Sequence, residues 1–307
     1  PFVSLDVVDV EYVDSEVNGL GGGNGYYNCY GKGLAGAFNG SELKRVVLPK
    51  GTKNVGMYAF AGSNSLVEVE VPECVERIDE YAFNSCSALR SFKMPLAVEE
   101  LSPYMFSGCV ALANIGDISA ISKIGEYAFK DCHSLVGDAN DLKLKLCSLD
   151  SIPNGLFSGC LEISDIEFSN GLSYIGKSAF NGCSNIKSLL FPNTIKRIET
   201  SAFADCTSLE AFNCPTSLES VNANSFSGTP WQEQFIKNGK NEILYLGNIA
   251  LAYIFDESCN DVHLDFREGT ISIADNFSCH INYGSYVGSE ASKGRIKKIT
   301  YGTKKNL

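Results

Sequence analysis

The chain has 307 residues, 44% hydrophobic and 20% charged, enough apolar material for a buried core and against global disorder. A net charge of -11 with a pI near 4.8 sets the chain against duplex nucleic acid or an anionic membrane surface as partners. No apolar run approaches the roughly 18–20 residues that span a bilayer, and the opening "PFVSLDVVDVEY" lacks the basic and apolar regions of a secretory signal.

In chain order, residues 1–30 are non-repetitive and include the glycine-rich "GLGGGNG"; they are expected to form an N-terminal cap strand and a turn. Residues 31–229 then repeat. Phenylalanines fall at Phe38, Phe60, Phe83, Phe106, Phe129, Phe157, Phe180, Phe203 and Phe226, with spacings of 22, 23, 23, 23, 28, 23, 23 and 23. Five residues before each from the second onward stands an apolar residue: Val55, Ile78, Leu101, Ile124, Ile152, Ile175, Ile198 and Val221. Six residues after stand Leu66, Leu89, Leu112, Leu135, Ile163, Ile186 and Leu209. Three residues after stand Cys86, Cys109, Cys132, Cys160, Cys183 and Cys206.

Within a unit, "LVEVEVP", "LRSFKMP" and "IKSLLFP" alternate apolar and polar residues and stop at proline, which reads as a short strand. The remainder returns by an irregular or short helical path. One such unit cannot bury its apolar side alone, whereas stacked units can, each strand pairing in parallel with the next. About ten coils at roughly 4.8 Å per step give a sheet on the order of 45 Å long. Residues 230–260 leave the pattern as an insert holding the only tryptophan, Trp231. Residues 261–307 resume it incompletely, with Phe277 in the anchor place and "IKKITYG" as a further strand.

Few residues here point to chemistry. Six cysteines at one repeat position read as a buried column of free thiols, because parallel stacking aims their side chains the same way. Cys29, Cys74, Cys147, Cys214, Cys259 and Cys279 lie off the column. His263 near Cys259, and His280 beside Cys279, fit no zinc spacing. Three histidines and no GxSxG or HExxH leave little for a hydrolase. "GKGLAG" at 31–36 matches GxGxxG but leads into a repeat rather than a βαβ unit. No cofactor, metal or catalytic residue is therefore expected. Asn39 and Asn276 lie in glycosylation-type sequons.

The composite pattern "AFxxCxxLxxIxxPxxVxxIxxxAF" resembles the BspA-type (Treponema pallidum-type) leucine-rich repeats over residues 34–229 and 261–281. The resemblance implies a leucine-rich-repeat solenoid and a secreted or cell-surface bacterial protein, with adhesion to host matrix proteins or other bacteria as the associated role. "TPWQEQFIKNGKNEILYLGNIALAYIF" also resembles an element that interrupts such arrays and pairs strands around "ILYLGNIALAYIF".

Solenoids bind through the face their strands share, because its outward positions vary without touching the core. Alternation assigns those positions to Arg45 and Val47, Glu68 and Glu70, Ser91 and Lys93, Asn114, Asp165 and Glu167, Ser188 and Leu190, Ala211 and Asn213. A second candidate contact is an aromatic cluster in the insert: Trp231, Tyr245 and Tyr253. The expected function is non-catalytic binding of a protein or glycan; the alternative is a spacer that displays another domain.

Overall fold

A phenylalanine at a fixed repeat position puts one ring per coil at the same point of the cross-section. The computed structural model describes residues 4–6, 36, 38–116, 121–136, 143–146, 149–238, 242–255, 262–281 and 296–301. It is a parallel-strand solenoid of about nine turns. The rings from Phe38 to Phe226 form one continuous stack, with successive centroids 5.1 to 5.7 Å apart. The longer interval from Phe129 to Phe157 stacks at 5.7 Å, so its extra residues leave the spine intact. From Phe60 to Phe226 the rings are essentially buried, with the apolar columns packed around them.

The turn around each phenylalanine is held by its neighbour. Phe60 N–H donates to Ala82 O at 2.8 Å, Phe83 N–H to Met105 O at 3.0 Å and Phe203 N–H to Ser225 O at 2.7 Å. The backbone enters the left-handed region two residues after the ring, where glycine is frequent (Gly62, Gly108, Gly159, Gly182), and two residues before it. The column cysteines satisfy the ring residues' carbonyls: Cys86 Sγ donates to Phe60 O at 3.1 Å, Cys109 Sγ to Phe83 O at 3.0 Å and Cys183 Sγ to Phe157 O at 3.1 Å. Where the second coil lacks the cysteine, buried Ser63 makes the same bond to Phe38 O at 2.7 Å.

Strands recur at two positions of the coil, and each position forms a parallel sheet broken into pieces of two to four strands. The first carries the alternating segments: Ser4–Asp6, Arg45–Val47 and Glu68–Glu70 pair in order, Lys143–Leu146 pairs Asp165–Phe168, and Ser188–Leu189 pairs Ala211–Phe212. A single bridge joins Ser91 to Asn114. Proline ends these strands by opening a turn, as in Val75 N–H to Pro72 O at 3.0 Å. The second sheet is made by the apolar column before the ring, in two-residue strands such as Ser151–Ile152, Tyr174–Ile175, Arg197–Ile198 and Ser220–Val221. The returns are thus irregular turns plus a second strand; among the described residues the only α-helix is Pro230–Asn238, in the insert.

That helix starts where the repeat stops. Thr229 caps it, its hydroxyl accepting Gln232 N–H at 3.2 Å, and Pro230 takes the first helical position. Glu242–Leu246 and Ile249–Phe255 then form an antiparallel hairpin, and the second strand pairs in parallel with Ser272–Ile281. Register jumps from Ala250↔Ile273 to Ala252↔Ser278, so Phe277 lies in a bulged strand rather than in another phenylalanine turn. Val262–Phe266 pairs with Ile296–Tyr301.

Candidate functional site

Alternation along the first sheet sends Val46, Val69, Phe92, Ile166 and Leu189 into the core and leaves the residues between them facing solvent. Arg45 is half-exposed and ion-paired to both Glu68, at 3.3 Å, and Glu70, and both glutamates are exposed. Val47 is half-buried opposite Glu70. Ser91 and Lys93 are exposed; Lys93 pairs with Glu73, which holds that carboxyl below the usual carboxylate range. Asp165 and Glu167 are exposed, on backbone in register with Lys143 and Lys145. Ser188 and Ala211 are exposed register partners, and Leu190 beside them is 75% exposed.

Two of the expected contact residues are committed to the scaffold. Asn213 is half-buried and brackets the neighbouring coil, its amide donating to Phe191 O at 2.8 Å and its oxygen accepting Phe191 N–H at 2.6 Å. Asn114 is half-buried and accepts Gly116 N–H at 2.7 Å, fixing its own turn. The remaining positions form a row that runs along the solenoid from Arg45 to Ala211. At the Arg45 end one guanidinium faces two carboxylates, and near Leu190 the row turns apolar. Exposed ion pairs of this kind are worth about 0–1 kcal/mol, so a ligand can exchange them at little cost.

The aromatic cluster expected in the insert is not an exposed patch. Trp231 is buried because it closes the end of the phenylalanine stack, its ring 4.6 Å from Phe212 and 5.3 Å from Phe226. Tyr253 is buried within the hairpin. Tyr245 is half-buried beneath Arg267, whose guanidinium lies 4.0 Å from the ring centroid, and its hydroxyl accepts Arg267 N–H at 3.0 Å. An indole and two phenols with one polar atom each can fill a core edge as readily as a contact surface. Phe235, 40% exposed against Trp231, is the aromatic that the helix presents outward.

Sequence reasoning passed over a column of four tyrosines: Tyr58, Tyr81, Tyr104 and Tyr127, each two residues before a spine phenylalanine. The recurring "YAF" and "YMF" were its signal. The column thiols that show large shifts are pushed up by burial, with Cys206 raised to about 12, opposite to the activation a nucleophile needs. His133 is exposed. The side chains of His263, Cys259, His280 and Cys279, and the segment 31–35, lie outside the described residues. No helix among the described residues is long and apolar enough to cross a membrane.

The family described as the BspA type leucine rich repeat region matches residues 35–136 and 140–253, in six copies. No curated protein matches the chain. Among solved structures, a leucine-rich repeat protein from Eubacterium ventriosum is 18% identical at a TM-score of 0.45, covering 64% of this chain and 67% of its own. One from Bacteroides ovatus is 22% identical at 0.42, covering 66% and 65%. A leucine rich cell surface protein from Faecalibacterium prausnitzii is 24% identical at 0.32, covering 63% and 73%. The chain thus spans about two thirds of the length of the first two.

Proposed function

We propose, since this chain belongs to the BspA-type leucine-rich-repeat family, that it is a non-catalytic binding module of the bacterial cell exterior. In this reading it takes a protein or glycan ligand on the outward row of its first sheet. The observation that carries the reading is the division of labour along that sheet. Every second residue is locked in the core, and the exposed set between them is held at solenoid pitch on paired backbone. A rigid row loses little conformational entropy on binding, which favours recognition over a large, shallow contact. Leu190, at 75% exposure, offers an aliphatic anchor on this row.

The test is a binding screen of the purified chain against immobilised matrix proteins, mucins and glycans, beside a Ser91→Trp/Ser188→Trp/Leu190→Asp variant. These positions face solvent, so the variant keeps the core. Saturable binding that the variant loses is the expected result. Binding that the variant keeps would move the site off the sheet. Binding to none of the surfaces would favour the spacer role.

A further inference from the structure

Asparagine before glycine is prone to lose its side-chain ammonia in water, because a glycine without Cβ lets its nitrogen approach the asparagine side chain. Four such pairs have both residues described: Asn39–Gly40, Asn154–Gly155, Asn170–Gly171 and Asn181–Gly182. Three of them sit in the turns around the spine phenylalanines, where the glycine nitrogen is already committed to the stack. Gly40 N–H donates to Ala61 O at 2.7 Å, Gly155 N–H to Lys177 O at 2.8 Å and Gly182 N–H to Ala204 O at 2.8 Å. Two of these three asparagine side chains are held as well. Asn154 donates to Glu126 at 2.8 Å and accepts Lys177 N–H at 2.8 Å, and Asn181 donates to Ala204 O at 3.1 Å.

The fourth pair is placed differently. Asn170 and Gly171 take the two central positions of the turn that ends a strand of the first sheet, closed by Leu172 N–H to Ser169 O at 3.1 Å. Proline opens this turn in other coils, as Pro192 does in accepting Ile195 N–H at 3.2 Å, and Ser169 stands in its place here. Both Asn170 and Gly171 are exposed. Gly171 N–H donates to the Ser169 hydroxyl at 3.0 Å, inside the same turn. Among the described residues, no neighbouring coil bonds that nitrogen or the Asn170 side chain. The two groups that must meet are therefore the two that the stack leaves unheld.

We infer that Asn170 is a deamidation site of the folded chain and the first of these four asparagines to react. The Gly171 nitrogen gives up its proton to hydroxide and bonds to Asn170 Cγ; the Cγ–NH2 bond breaks and ammonia leaves. Water then opens the cyclic imide at one carbonyl or the other, leaving aspartate or isoaspartate. Water and its hydroxide are the only co-reactants. Either product adds a carboxylate three residues past Glu167, just beyond the strand Asp165–Phe168. Isoaspartate also lengthens the backbone by a methylene in a turn tied to the next coil, where the Thr194 hydroxyl lies 2.9 Å from Asn170 O and 2.7 Å from Leu172 O.

The test is incubation of the whole chain in mildly alkaline buffer. Peptide mass spectrometry follows the replacement of –NH2 by –OH, and enzymatic methyl labelling detects isoaspartate. Asn170 should convert at least about tenfold faster than Asn39, Asn154 or Asn181, whose turns must open first. In urea the four rates should converge, since each residue is then simply an asparagine before glycine. Gly171→Ala should slow Asn170 several-fold with an unchanged circular dichroism spectrum. The added Cβ meets only Ser169 Oγ, at 3.5 Å, and other coils carry Ala97 and Thr194 at this position. The inference is overturned if Asn170 stays intact, or if any of the other three converts as fast in the folded chain. It is equally overturned if urea leaves the ranking unchanged, or if Gly171→Ala reacts at the parent rate.

Discussion

The cysteine three residues past each ring is small enough to share the core with phenylalanine, and its thiol gives a second donor to a carbonyl that already accepts one backbone N–H, as Phe83 O does from Cys86 N–H at 3.2 Å. Each column thiol described donates to the phenylalanine of the preceding coil, between 3.0 and 3.2 Å. Ser63 shows that the donor matters as well as the size. Burial raises Cys109, Cys132, Cys160, Cys183 and Cys206 above the ordinary thiol value of 9.0. A group raised in the folded state stabilises the fold fully below its unfolded value and loses that contribution as pH climbs toward its folded value. The urea midpoint should therefore hold to about pH 8 and fall steadily above about pH 9, toward the folded value of about 12 for Cys206. A midpoint unchanged at about pH 10.5 would contradict the burial of these thiols. A thiol reagent should modify half-buried Cys74 and exposed Cys214 in the native chain, and reach the column only on unfolding.

Elements differ in how plainly the sequence announces them. The first sheet was legible because Val69, Leu89 and their equivalents recur in phase, and a buried environment repeated every coil selects the same residue type each time. The second sheet was not read as strand, because two residues such as Arg77–Ile78 are too short to show alternation. Only the apolar column survives as a trace. The insert was least legible. Trp231 occurs once, and a single aromatic carries no periodicity to say which way it faces. Its burial follows from position, since the last phenylalanine ring of a stack leaves an apolar face that something must cover. Trp231→Ala should cost about 3–5 kcal/mol and raise amide exchange first in residues 203–229. A variant that loses under about 1 kcal/mol would show that the insert is not the terminal cap.

At the scale of the whole molecule, the sequence defined the solenoid and its outward row, and left undecided which outward residues are available for contact. Asn114 and Asn213 look like their neighbours in sequence, yet their amides serve the scaffold's own backbone. The tyrosine column was passed over for the opposite reason: tyrosine at a surface turn belongs to no expected apolar pattern. The outward row takes its register from the phenylalanine spine. A shift of that spine would turn outward residues inward and dissolve the first sheet's row. The most direct measurement is therefore the unfolding free energy of Phe180→Ala against the parent chain by chemical denaturation. A fully buried ring, stacked at 5.5 Å on Phe157 and 5.2 Å on Phe203, should cost about 3–5 kcal/mol when removed. A loss below about 1 kcal/mol would put the ring outside the core and contradict the register on which the outward row rests.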